Sequence, residues 1–238
     1  MTISEPSTLL TDCLLAAVAF ALGVRLWAGV PGETLARRLW AAAFLVGAAA
    51  AAAGGTVHGF RASLPDPLEA ALWTGCLMAA ALCGALLVAG TSCHVLQGAP
   101  RKLALVAVAL VLIAELGLLF AAPLTRYAVW AGAFWIVSLL ALVAGSASAR
   151  AALLAPMALG LALVGAGLVV QRAGWGLHPH FNHNDVAHVL MTVALWPFYR
   201  AGSLLGADKL RAASGGGFTP PERAGGQGGA AQYPPAQR

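Results

Sequence analysis

Apolar residues in this chain come in long runs, and short polar or Gly/Pro-rich breaks divide them. The runs cover about 8–28, 38–60, 69–91, 103–121, 125–146, 151–171 and 183–204. The breaks read "VPGET", "RASLPDP", "QGAPRK", "AAPLTR", "GSASAR" and "RAGWGLHPHFN", each carrying Pro, Gly or charge. A hydrocarbon core of about 30 Å takes roughly 20 apolar residues per helix. The fifth and sixth runs are divided only by "GSASAR", and together they are too long for one crossing. The pattern therefore predicts an all-α, polytopic membrane protein. Residues 1–205 are expected to form a bundle of seven transmembrane helices.

Composition supports that reading. The chain is 60% hydrophobic and 10% charged, whereas soluble domains carry about 25% charged residues. The net charge of +5 is therefore read as loop charge on one side of a membrane rather than as a nucleic-acid surface. If the N-terminus lies outside, the inner segments hold eleven of the basic residues, from Arg25, Arg37 and Arg38 to those of the tail. The outer segments hold only Arg61, Arg126 and Arg172. The expected orientation is N-out and C-in, with no basic n-region to mark the first run as a removed signal. The tail 206–238, rich in Gly, Pro, Ala and Gln, is expected to be a disordered cytoplasmic extension. Cys13, Cys76, Cys83 and Cys93 form no Cys-x-x-Cys pair, so they read as small apolar packing residues. The second run, "AAAFLVGAAAAAAGG", lets neighbouring backbones approach closely and belongs in the middle of the bundle.

Ionisable groups inside such runs are costly and mark candidate sites. With N-out topology, Asp12, His58, Glu69, Glu115, His183, Asn184, Asp185 and His188 all fall in the outer half. Each has a plainer structural explanation. Asp66 and Glu69 could cap the third helix around Pro67, Asp12 could reach the interface, and Asn182 or Asn184 could cap the seventh. Glu115, about two turns below the surface, needs a cavity or a partner. His178 and His180 belong to a solvated loop. On the seventh helix His188 lies about 40° from Asn184 and about 60° from Asp185, while His183 lies about 140° away. Asp185 and His188 thus share a face, as carboxylate–histidine pairs do in helical-bundle metal sites. His58 could supply a third ligand, which gives the three-donor layout of a catalytic zinc site.

Seven spans, His58 ending the second, Glu69 opening the third and His188 in the last resemble the superfamily of alkaline ceramidases and progestin/adipoQ receptors. The resemblance implies an intramembrane zinc and hydrolysis of a lipid amide or ester. His58 and His188 match ligand positions, and Glu69 stands at the family's Asp. Gly54 stands where that family has Ser, and Asn184 where it has the first His of the last motif. The block "FNHNDVAHVLMTVALWPFYRAG" also resembles an uncharacterised group of bacterial seven-helix proteins, which implies a bacterial inner membrane. The leading expectation is a zinc-dependent membrane hydrolase, with His58, Asp185 and His188 on the metal and Glu69 as base. His183, Asn184, Glu115 and Asp12 would support the site, and a membrane lipid would be the partner. Two other classes stay open: a b-type haem protein ligated by His58 and His188, and a non-catalytic receptor or scaffold. A retinal Schiff base is excluded, because Lys102 and Lys209 lie in a loop and the tail.

Overall fold

The computed structural model describes residues 3–29, 34–121, 135–136, 138–139 and 150–205. Six long helices are described: α1 (Pro6–Trp27), α2 (Leu35–Phe60), α3 (Asp66–Val95), α4 (Gly98–Ala121), α5 (Arg150–Ala173) and α6 (His183–Leu204). A short 3₁₀ turn, Arg61–Ser63, joins α2 to α3. Of the expected span 125–146, only Trp135, Ile136, Ser138 and Leu139 are described, and these are helical. The rest of that span, and the tail 206–238, lie outside the described residues. Among the described residues five helices are long and apolar enough to cross a membrane: α1, α2, α3, α4 and the Leu153–Ala173 part of α5. Helix α6 is not among them, because His183, Asn184, Asp185, His188 and Arg200 lower its apolar content.

Several ends differ from the hydropathy reading for local reasons. Helix α3 begins at Asp66 and runs to Val95, so Glu69 sits in its first turn rather than at its start. The expected Asp66/Glu69 cap is not made. Pro65 is the N-cap residue, without a side-chain bond to the helix, and Glu69 pairs instead with Arg61 at 2.8 Å. Proline in the first turn is tolerated because the N–H it lacks would be unpaired there anyway. At the end of α1 the carbonyl of Leu26 accepts a bond from Arg37 Nε at 3.1 Å. A cation from α2 thereby satisfies an orphan acceptor at a helix C-terminus.

Helix α2 packs against α1, α3 and α6, and its apolar window is the most deeply buried of the five. The Ala/Gly run allows this. A Cβ on Gly23 would lie 3.0 Å from Phe44 Cβ, and one on Gly59 would lie 2.8 Å from Leu9 Cδ2. Helices α1 and α2 are thus antiparallel and in backbone-close contact, as small residues permit. The last helix runs parallel to α1: Asp12 meets His188 near their starts, and Leu26 meets Gly202 near their ends.

Large apolar side chains fill one half of the bundle. Leu22, Leu26, Trp40, Phe44, Val88, Phe198 and Leu205 form that core with their neighbours. Trp40 is fully buried and donates its indole N–H to Leu87 O at 3.1 Å. The other half, where α1 starts and α2 ends, holds few large apolar side chains. There α2 buries Ala48, Ala50, Ala51, Gly54, Gly55 and Gly59, and α1 buries Thr8, Thr11 and Asp12. The polar groups occupy the end of the bundle where close backbone contact replaces bulky packing.

Candidate functional site

The loop before α6 delivers the histidine-rich stretch. Gly174 takes a left-handed backbone (φ +68°) that ends α5, as glycine at that position permits. Phe181 N then bonds His178 O at 2.8 Å, and Leu177 N bonds Phe181 O at 3.0 Å. This tight turn leaves His178 and His180 exposed. The first turn of α6 is closed reciprocally. Asn182 Oδ1 accepts from Asn184 N at 2.7 Å, and Asp185 Oδ2 accepts from Asn182 N at 2.7 Å. Such a box satisfies two backbone donors that a helix start leaves open.

That box changes the expected roles. Asp185, anticipated beside His188 as a ligand, spends one oxygen on its own helix start. It is nevertheless fully buried, and its Oδ1 has no partner. Asn184 turns to α5 and accepts from Gln171 Nε2 at 3.1 Å. His183 is half-buried and belongs to neither of the histidine–carboxylate pairs described next. Glu115 finds its partner in Trp135, whose Nε1–H donates to Oε2 at 2.9 Å. Glu69, the expected base, is held by Arg61.

The carboxylate that meets His188 is Asp12. Its Oδ1 lies 3.3 Å from His188 Nδ1, with Asp12 buried and His188 only slightly exposed. Thr11 Oγ1 lies 3.4 Å from the same nitrogen and donates its own proton to Thr8 O at 3.1 Å. With Asp12 ionised, Nδ1 faces two accepting oxygens, the arrangement in which an imidazole carries its hydrogen on Nδ1 and its lone pair on Nε2. His58 repeats the device. Its Nδ1 lies 3.2 Å from Glu5 Oε2, and its ring meets Trp73 edge to face with centroids 5.6 Å apart.

The two imidazoles come together with ring centroids 6.4 Å apart and planes at 66°. Each is backed by a carboxylate on Nδ1, so each presents Nε2 on the far side of its ring. Two of the expected ligands, His58 and His188, thus share one site. Asp12 orients one of them, and Glu5, which no motif pointed to, orients the other. Glu5 sits in the segment before α1, tied to the end of α2 by Ser4 N to Gly59 O at 2.8 Å. Only its position one residue before a proline-started helix could have suggested that it reaches the same end as His58.

Carboxylates that fix histidine tautomers are the usual outer partners of metal-binding imidazoles. The fit to zinc is partial. Two imidazoles sharing one tetrahedral zinc, with Zn–N of ~2.0–2.1 Å, would hold their centroids about 5 Å apart. The pair here stands about 1 Å wider than that. Among the described residues no three His, Cys, Asp or Glu side chains are gathered to hold a metal ion.

No curated protein and no solved structure matches the chain. The comparison that succeeds is with a family model spanning residues 7–207, which takes in nearly all of the six helices, both histidines and Asp12, while Glu5 lies before its first residue. The chain therefore belongs to that family, DUF6962, a family of unknown function.

Proposed function

We propose that the protein is a seven-helix membrane hydrolase of a lipid amide or ester. Its reacting centre would be the facing pair His58 and His188, in the outer half of the bundle. The observation that carries this reading is the matched pair of Nδ1–carboxylate contacts, Glu5–His58 and Asp12–His188. A bundle gains little from setting two imidazoles and two carboxylates at one end merely to pack its helices, because each buried polar group must recover its lost hydration. Each ring, held through Nδ1, keeps its Nε2 for chemistry, and the ring centroids stand 6.4 Å apart, which suits proton abstraction from water by one ring and, once protonated, delivery to a leaving group. Asp12 and Glu5 would stabilise the imidazolium formed when either ring takes a proton.

Zinc is the cofactor of a second form of this reading, in which Nε2 of His58 and His188 would hold the ion instead of moving protons, and it would supply polarisation of the scissile carbonyl and a bound water of lowered pKa. The wide ring separation asks for a closing movement of about 1 Å before both nitrogens could share an ion. The haem alternative would call on the same two imidazoles as axial ligands. Glu69 is not needed as base in this scheme.

Parity supports a seventh crossing. Helix α4 ends at Ala121 at the His58 end and α5, antiparallel to α6, opens at Arg150 at the Trp40 end, so α4 and α5 run in the same direction. An odd number of crossings also accounts for α1 and α6 running parallel. N-out orientation follows from the positive charge of the Trp40-end loops. A C-terminal reporter active only in the cytoplasm should then be active.

The test of function is hydrolysis of labelled ceramide and ester lipids by detergent-purified protein, with metal analysis of the same sample. Activity should fall at least ~100-fold in His58→Ala and in His188→Ala and survive in His178→Ala. Full activity in either of the first two variants would overturn the reading.

A further inference from the structure

Three buried side-chain atoms along one seam have no partner: Thr8 Oγ1, Asp12 Oδ2 and Asp185 Oδ1. The residues that carry them are 0%, 3% and 0% exposed. Thr8 and Asp12 lie one turn apart on α1 and so share a face. That face is the one turned to α6, because Asp12 Oδ1 reaches His188 there. Asp185 lies one turn before His188 on α6, on the same side of that helix. Its charge bears on Asp12. Each carboxylate therefore has one oxygen committed, to His188 or to Asn182 N, and one without a partner, that of Asp12 lying beside Gly55 where α2 meets α1.

Leaving two carboxylate oxygens without partners inside a helical bundle is costly. Among the described residues no Lys or Arg pairs with Asp12 or Asp185. The open atoms are all oxygens, two of carboxylate and one of hydroxyl. Oxygen-only donor sets select hard cations, whereas imidazole suits zinc and other transition metals. Two carboxylate charges match one divalent ion.

We propose that Asp12, Asp185 and Thr8 form a site for a divalent, oxygen-ligated cation between α1 and α6, with water completing its shell. This site is separate from the nitrogen pair of His58 and His188 and does not depend on the hydrolase reading. The set mixes two carboxylates with a hydroxyl, so it is not a cluster of three His, Cys, Asp or Glu groups, of which the described residues hold none. The ion would tie the first helix to the last and fix Asp12 Oδ2, leaving Oδ1 for His188. It would thus set the position of one of the two imidazoles.

The experiment uses the full chain in detergent, stripped of metal with chelator, and follows thermal unfolding as magnesium or calcium chloride is added. A ligand that binds only the folded state raises the midpoint in step with its concentration. The wild type should show a saturable rise with at least one of the two ions. Asp185→Asn, which keeps an oxygen for Asn182 N–H, should abolish the rise, as should Asp12→Asn. Thr8→Val, nearly the same shape, should weaken binding by about tenfold and supplies a readout if Asp12→Asn does not fold. His58→Ala should keep the rise, which separates this site from zinc at the imidazole pair. No rise with either ion would mean that water alone fills the seam and would overturn the proposal. So would a rise that persists in both Asp185→Asn and Thr8→Val.

Discussion

Replacing Gly55 with alanine tests whether backbone contact between α1 and α2 sets the site. A Cβ added there would lie 2.7 Å from Asp12 Cβ and 3.5 Å from Asp12 Cγ and Oδ2. Carbon atoms rest at about 3.5–4.0 Å, so the overlap is about 1 Å. Neither atom is the tip of a flexible side chain, since both are Cβ atoms held directly by their helices. Relief must come from moving α1 and α2 apart. The Asp12–His188 contact begins at 3.3 Å, and a displacement of about 0.5 Å would take it beyond hydrogen-bond range. Overpacking costs about 1–3 kcal/mol, and loss of a hydrogen bond to a charged group adds about 1.5–3 kcal/mol. The same substitution at Gly75, where nothing lies within 4 Å, should be neutral or should stabilise by up to ~1 kcal/mol through helix propensity. The assay is thermal unfolding of both variants in the same detergent, with lipid hydrolysis measured in parallel. Gly55→Ala should lose both stability and activity. If it unfolds at the same temperature as Gly75→Ala, close approach at Gly55 does not position Asp12, and the account of α2 given above fails.

Glu69→Gln should change stability by less than about 1 kcal/mol, because its partner Arg61 is well exposed, and it should leave hydrolysis unchanged; loss of activity would restore Glu69 as the base. Asn182→Ala should cost about 0.5–2 kcal/mol by uncapping α6, seen as faster amide exchange confined to residues near 183–186. Trp40→Ala should cost about 3–5 kcal/mol, because the fully buried ring fills the space between Gly90, Gly202 and Phe198, and a wild-type unfolding temperature would contradict its place in the core. Glu5→Gln, which removes the charge behind His58, should lower hydrolysis more than it lowers stability, and the reverse order would reduce Glu5 to a tether for the N-terminal segment.

Helix positions were readable from hydropathy because a chain with so few charges can bury its backbone polar groups only in helices. The His58-to-His188 juxtaposition was also foreseeable, since both residues stand at the same end of their runs. The small-residue run of α2 announced close packing, and the structure finds it against Asp12 and Leu9. What periodicity could not give was the partner of each polar group. Asp185 and His188 do share a helix face, yet Asp185 turns one oxygen back to Asn182 N, because a helix start offers a free donor closer than any ligand. Glu69, expected as the base, is captured by Arg61, which the 3₁₀ turn brings within 2.8 Å. Asp12 and Glu5, 176 and 53 residues away from their histidines along the chain, reach them only because α1 packs parallel to α6 and antiparallel to α2. A one-dimensional pattern records which face of a helix is polar. Which neighbour that face meets is settled by helix direction and by how closely backbones approach, and both are properties of the packed bundle.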